Sequence, residues 1–175
     1  MFKEERDELK FEWSMLGDVA KGRPNLGATM DVAIYRLMQF TLRDVLIREL
    51  GPQVAERLYR QAGQSAGQQF FRNLVTKKHD FNAFVVEIQK LLSDLNIGIL
   101  RVEKANLASM HFILTVAEDL DCSGLPISGE TVCTYDEGFI AGLFREFTGK
   151  DFDVKEIDCW CSGDRVCRFE VKPRA

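Results

Sequence analysis

Five cysteines, at positions 122, 133, 159, 161 and 167, carry the side chains best suited to chemistry, and three of them fall in EIDCWCSGDRVCRFEV, Glu156 to Val171. If that stretch is a β-hairpin turning at Ser162, Gly163 and Asp164, Cys159 faces Cys167 and Cys161 faces Arg165. Directly opposed strand residues hold their Cβ atoms about 4.5–5.5 Å apart. That separation suits two thiolates on one Zn²⁺ and, with a small movement, a disulfide. Cys161 lies about 7 Å further along the strand and is not an automatic third ligand. Cys133 stands just before a helix start, where unpaired N–H groups and the helix dipole lower a thiol's pKa. Folded over the hairpin, it would supply a third thiolate, with Glu118 or Cys122 as the fourth group. Such a set is closed and tetrahedral, of the structural kind. Free cysteines are also often small buried hydrophobes, and the spacing, which contains no CxxC pair, fits that reading too.

Little else in the chain suggests reactivity. His79 follows two lysines in a loop-like stretch and reads as solvated; His111 stands among apolar strand residues and reads as half-buried and hydrogen-bonded. There is no Ser-His-Asp set, no phosphate-cradling Gly-rich loop after a strand, and no carboxylate pair in a setting for acid–base work, so no enzyme activity is expected. A net charge of -4 argues against intrinsic nucleic-acid binding. The charged start MFKEERDELKFEW is unlike a secretory signal, and no run approaches the roughly 20 apolar residues of a membrane span. The expected compartment is therefore the cytoplasm, where thiols stay reduced or bind metal.

The elements that must position the thiols follow from periodicity. Residues 1–31, broken by GDVAKGRPNLG, read as a lead-in segment, and 32–175 as a single domain. From Val32 to Leu50, Tyr35, Met38, Leu42, Val45, Leu46 and Leu50 recur at helical steps, ended by Gly51 and Pro52. A second helix begins at Pro52 and runs to about Val75, with Val54, Leu58, Ala62, Ala66, Phe70 and Leu74 in one row. Gly63 and Gly67 lie beside that row; each costs about 1 kcal/mol relative to Ala, which calls for close approach by another backbone. Asp80 caps a third helix with the stripe Phe81, Phe84, Val85, Ile88, Leu91 and Leu92. IGILRVEKA and SMHFILTVAEDL read as two paired strands, the second with Phe112, Leu114 and Val116 on one side. A loop from about Asp121 to Thr131 leads to a helix opened by Thr134 and Glu137 in capping-box spacing and closed by Gly149. The chain then finishes as the cysteine hairpin. The fold class is α+β: N-terminal helices packed on a mostly antiparallel sheet, one helix between the strand pairs, and a C-terminal β-hairpin.

TVCTYDEGFIAGLFREFTGKDFDVKEIDCWCSGDRVCRFEV resembles the 4-vinyl reductase domain family in its Cys before a Gly-containing helix, its Glu-x-x-Cys, its Gly and its Cys-x-Phe. These are Cys133, Gly138, Gly142, Gly149, Glu156, Cys159, Gly163, Cys167 and Phe169, and LYRQAGQSAGQQF, Leu58 to Phe70, is similar to the family's Gly-x-x-x-Gly helix. The resemblance implies a ligand-binding fold like that of the TRAPP vesicle-tethering subunits, commonly dimeric, with an apolar pocket between helices and sheet. In the aromatic-sensing branch three cysteines and a glutamate hold zinc. Cys133, Cys159 and Cys167 match those cysteines in order and spacing, with Glu118 the first candidate for the fourth ligand and Cys122 the second. Cys122 and Cys161 add to the shared pattern and keep a redox role open.

The expected function is a sensory or carrier module that takes up an apolar, hydrocarbon or aromatic, small molecule, with zinc fixing the C-terminal hairpin. It would act as a homodimer or through a signalling partner. Phe112, Phe139, Phe144 and Trp160 are the candidate pocket residues, although aromatic side chains serve a core equally well. The alternatives are a thiol redox sensor using Cys122, Cys159, Cys161 and Cys167, and a TRAPP-like tethering subunit without a ligand.

Overall fold

The computed structural model describes residues 10–174. The start of the expected lead-in segment, residues 1–9, lies outside the described residues. Two short helical turns, Trp13–Leu16 and Val19–Gly22, precede the first long helix. Gln69 holds this lead-in by accepting from the Trp13 N–H and donating to the Phe11 carbonyl, both at 3.2 Å.

Three long helices follow: α1 (Val32–Leu50), α2 (Pro52–Leu74) and α3 (Phe81–Asp94). Each begins as its sequence implies. Asp31 and Asp80 accept from the Ala33 and Ala83 N–H groups at 2.7 Å, and Pro52 occupies the first turn of α2. Strands β1 (Ile99–Asn106) and β2 (His111–Ala117) form an antiparallel pair, and helix α4 (Thr134–Thr148) separates them from β3 (Phe152–Asp158) and β4 (Cys167–Pro173). The four strands make one antiparallel sheet in the order β1-β2-β4-β3, so β4, although last in the chain, lies beside β2. Strand alternation buries Phe112, Leu114 and Val116 on β2 and Cys167, Phe169 and Val171 on β4.

Helices α2 and α4 cross at backbone contact. A Cβ added to Gly63 would stand 2.0 Å from the Tyr135 carbonyl oxygen, and one on Gly67 would stand 2.1 Å from that of Phe139. The relation is reciprocal: Gly138 and Gly142 of α4 would meet the Arg60 and Gln64 carbonyl oxygens at 2.0 and 2.3 Å. This approach turns α2 so that Ala55, Tyr59, Gly63, Gly67, Phe70 and Phe71 are buried, rather than the larger side chains of the Val54–Leu74 row. Ala62 of that row is exposed. Backbone proximity outweighed side-chain hydrophobicity in choosing the face.

Helix α1 departs further from its pattern, because none of its residues is buried. Leu37, Met38 and Leu42 are 61%, 61% and 52% exposed, and Val45 and Leu50 are exposed as well. The helix is amphipathic, but the rest of the described chain leaves its apolar face uncovered.

At the start of α4, Cys133 is the N-cap, and no side chain caps the helix. The expected pairing of Thr134 with Glu137 does not form, because Glu137 is drawn to stronger donors. Its carboxylate accepts from the Glu156 N–H at 2.9 Å and pairs with Arg60 at 2.5 Å and Lys155 at 3.1 Å. A carboxylate buried this deeply needs such partners.

Candidate functional site

The C-terminal hairpin is looser than a three-residue turn. Strand β3 ends at Asp158, a register shift falls between Glu156 and Asp158, and Cys159 caps a 3₁₀ turn, Trp160–Ser162. Arg168 is therefore opposite Asp158, while Cys167 pairs across the sheet with Val116. Cys159 and Cys167 do not face one another on the ladder. Their thiols still meet, because the bulge changes the alternation after buried Glu156 and carries Cys159 inward.

Cys122, Cys133, Cys159 and Cys167 converge on one point, with all four sulfurs within 4.8 Å of one another. Cys133 Sγ lies 3.8 Å from Cys167 Sγ and 4.0 Å from Cys159 Sγ, and Cys122 and Cys167 are 3.0 Å apart. All five cysteines of the chain are free thiols, and these four are fully buried. Sulfurs about 2.3 Å from a zinc ion, at tetrahedral angles, stand roughly 3.8 Å from one another. The donor set thus has the number, chemistry and spacing of a closed structural zinc site, and four such residues could hold a metal.

Glu118 is not in this group. It is exposed, and its φ of 51° takes the chain into the left-handed region, so the strand alternation that would have pointed it inward ends there. The loop that follows delivers Cys122 instead, with Asp119 Oδ1 accepting from the Asp121 and Cys122 N–H groups at 2.9 and 3.1 Å. Cys161 is buried, but it is not among the four converging thiols.

Four thiols sharing a buried space cannot ionise independently. Hydrogen bonds from Cys122, Cys133 and Cys167 hold Cys159 far below the ordinary thiol range, and the same neighbours push Cys133 up. Glu156 stands directly behind them. Its Oε2 accepts from the Cys133 N–H at 3.0 Å, and burial pushes the carboxyl up to about 8.

An apolar cavity adjoins this cluster. Its walls are Ile88 and Leu92 of α3, Leu114 and Val116 of β2, and Phe139 and Leu143 of α4, with Phe144 beside them. Counted as room for the centres of water-sized spheres, its volume is about 50 Å³, against roughly 10–15 Å³ for one water on that measure. Of the four candidate aromatics, Phe139 and Phe144 line it. Phe112 does not; it stacks in the core between Phe81 and Phe144, with ring centroids 5.0 Å from each. Trp160 also lies elsewhere, its indole N–H donating to the Leu125 carbonyl at 3.0 Å.

Asp119 and Asp136 form the polar end of the cavity, and composition and periodicity gave no hint of their role. The only available signal was the spacing DLDC before the loop and one helical turn from Cys133 to Asp136. Burial and the neighbouring Asp121 charge push Asp119 up to about 7; burial, then Asp121 and Asp119, push Asp136 well above the usual carboxylate range. Asp121 is bound by the Tyr35 hydroxyl and the Gln39 amide at 2.8 Å each, tying this end to α1. Of the two histidines, His79 is exposed, whereas His111 is not half-buried as its neighbours suggested; it is exposed and within 3.0 Å of Glu170.

Residues 112–173 match the family model of the 4-vinyl reductase (4VR) domain, a stretch that begins on β2, ends on β4 and contains all five cysteines. This segment is a 4-vinyl reductase domain. The curated protein MJ1642 of Methanocaldococcus jannaschii is 25% identical over 147 residues, covering 84% of this chain and 80% of that protein. MJ0150 of the same organism is 28% identical over 106 residues, 61% of this chain and 60% of that protein. Among solved structures, the 4-vinyl reductase segment and its helices superpose on the phenol-responsive sensory domain of the transcription activator PoxR with phenol (TM-score 0.65, 18% identity, 84% of this chain and 76% of that one). A vinyl-4-reductase family protein from M. jannaschii matches with TM-score 0.64 and 14% identity over 97% and 99% of the two chains. A trafficking protein particle complex subunit 3 from Naegleria fowleri, covalently bound to palmitic acid, matches with TM-score 0.65 and 10% identity over 82% and 95%. At these identities the likeness is one of fold. No helix among the described residues is long and apolar enough to cross a membrane.

Proposed function

We propose that this chain is a sensory module for an apolar small molecule, built around the cavity between α3, α4 and the sheet. A zinc ion held by Cys122, Cys133, Cys159 and Cys167 would pin the loop before α4, the start of α4 and the C-terminal strands to one another. Zinc at four thiolates supplies a cross-link and no reactive position. The observation that carries this reading is that one helix serves both features: Cys133 caps α4, and Phe139, Leu143 and Phe144 of the same helix line the cavity. Occupancy of the cavity that moves α4 would therefore be felt at the thiols. The PoxR domain with phenol and the palmitate-bound trafficking subunit support apolar ligands in this fold. Nothing in the geometry calls for an enzyme, and readout through a partner or a second copy is the natural counterpart of a sensor.

The second copy is the occupant we assign to the apolar face of α1. Its row of exposed Leu37, Met38, Leu42, Val45 and Leu50 is the stripe expected of a helix that packs on something, and the described chain itself does not cover it. Tyr35 and Gln39 on the same helix bind Asp121 at the polar end of the cavity, so a dimer through α1 would connect to the ligand site.

The test is elemental analysis of protein purified without chelator, together with thermal shifts against a panel of small aromatics and alkanes. One zinc per chain, lost in Cys167→Ser and kept in Cys161→Ser, is expected. Metal-free protein that gains and loses two hydrogens reversibly on reduction and oxidation would instead establish a thiol switch. Protein that no apolar compound stabilises would favour a tethering subunit.

A further inference from the structure

The cavity is apolar along its walls and acidic at one end, and that end is unfinished. Asp136 Oδ2 is sealed from solvent and has no hydrogen-bond partner among the described residues. Asp119, 4% exposed, spends Oδ1 on two backbone N–H groups, and a ligand atom of each carboxylate lies within 4.8 Å of the other and of Cys133 Sγ. The groups whose charge acts on Asp136 are themselves acidic: Asp121, Asp119, Cys167 and Glu156. The basic side chains nearby are committed elsewhere. Arg36 donates to the carbonyls of Asp119, Leu120 and Ser123, and Arg43 donates to that of Val132.

An unpaired buried carboxylate oxygen costs free energy that a fold does not carry without a compensating partner. Here the side from which a partner can come is the cavity itself. A neutral hydroxyl has one hydrogen to give and would leave two carboxylates facing each other. An ammonium group has three donors and a charge opposite to theirs. We propose that the ligand of this cavity is a primary amine on a compact apolar body, its protonated nitrogen received by Asp136 and Asp119 and its body lying against Phe139, Leu143 and Leu114. This deepens the sensory reading and rests on the same cavity. A volume of about 50 Å³, roughly three to five times that of one water, matches a single ring with a short arm better than a long chain.

Benzylamine and benzyl alcohol are the probes, since they share a shape and differ in charge at neutral pH. Calorimetric titration of the full chain, metal-loaded as purified, is expected to show benzylamine binding at least tenfold tighter than benzyl alcohol. Asp136→Asn is expected to remove that preference while leaving the metal content per chain unchanged. Equal or tighter binding of the alcohol, or of phenol, to the wild-type protein would overturn the amine assignment and leave the apolar-cavity reading intact. Binding of neither probe would overturn both. If Asp136→Asn releases a second metal ion beyond the one at the thiols, the two carboxylates are metal ligands and the proposal falls. The wild-type comparison of amine with alcohol stands even if the variant does not fold.

Discussion

Replacing Gly63 with Ala sets two opposed effects against each other. Alanine is the better helix former by about 1 kcal/mol, so an unpacked α2 would be stabilised. In the folded chain, however, the new methyl would lie 2.0 Å from the Tyr135 carbonyl oxygen and 2.9 Å from the Phe139 nitrogen, both backbone atoms that no rotamer change can move. Carbon-to-oxygen contacts across helices settle at about 3.3–3.6 Å, so α2 and α4 must part by roughly 1.3 Å or more at this point. A gap of 0.5–1 Å already forfeits about a quarter to a half of each contact's attraction, and overpacking of this kind typically costs about 1–3 kcal/mol. The gap would extend to Gly67, Gly138 and Gly142, so the upper end of that range or beyond is expected, for a net loss of about 2 kcal/mol after the propensity gain. Urea unfolding of the metal-loaded protein measures it, with Gln61→Ala on the exposed side of α2 as a control expected to stay within about 0.5 kcal/mol. Because α4 also carries Cys133, the variant should release metal to a competing chelator faster than wild type. A Gly63→Ala protein as stable as wild type, or more so, would show that the two helices do not rest on backbone contact.

Removing zinc with a chelator should lower stability by about 4 kcal/mol relative to protein held with the free metal a thousandfold above its dissociation constant, read as a metal-dependent unfolding midpoint; an unchanged midpoint would mean the thiols are core residues only. Glu87 accepts from the Thr76 N–H and hydroxyl and the Lys77 N–H at 2.9, 2.6 and 2.7 Å, and these bonds outweigh the opposing effect of burial and hold its carboxyl below the usual range. A depressed folded pKa gives stability that is present above the unfolded value, near 4.3, and is lost as pH falls through the folded one. Glu87→Gln should therefore cost about 1 kcal/mol at pH 7, with the difference from wild type fading in denaturation curves below about pH 4. Leu42→Glu places a charge on the uncovered face of α1 and should halve the mass seen by light scattering if two copies meet there; an unchanged mass would remove α1 from the interface. Asp80→Ala deletes the bond to the Ala83 N–H and should cost about 1 kcal/mol in the same urea unfolding.

The helices and strands were legible because their cues are local. Asp80 at a cap, Pro52 at a first turn, Gly149 at an end and the alternation Phe112, Leu114, Val116 each act within a few residues, and each does in the structure what its type dictates. The glycine pairs were legible as a requirement for backbone contact, although only the fold supplied the partner, α4. What sequence could not decide depended on chain geometry between elements. A single bulge after Glu156 determined how Cys159 turns inward, and one left-handed residue, Glu118, ended an alternation that would have made it a ligand. With Glu118 removed from reach, the loop beyond it brought in Cys122. The acids Asp119 and Asp136 are ordinary in the sequence, and their chemistry arises only because burial beside a cavity strips them of water and of counter-charges. The sequence by itself determined which side chains were available and which local elements would carry them. Tertiary structure decided which of them share one small volume, because that depends on crossings, bulges and turns that sum over the whole chain.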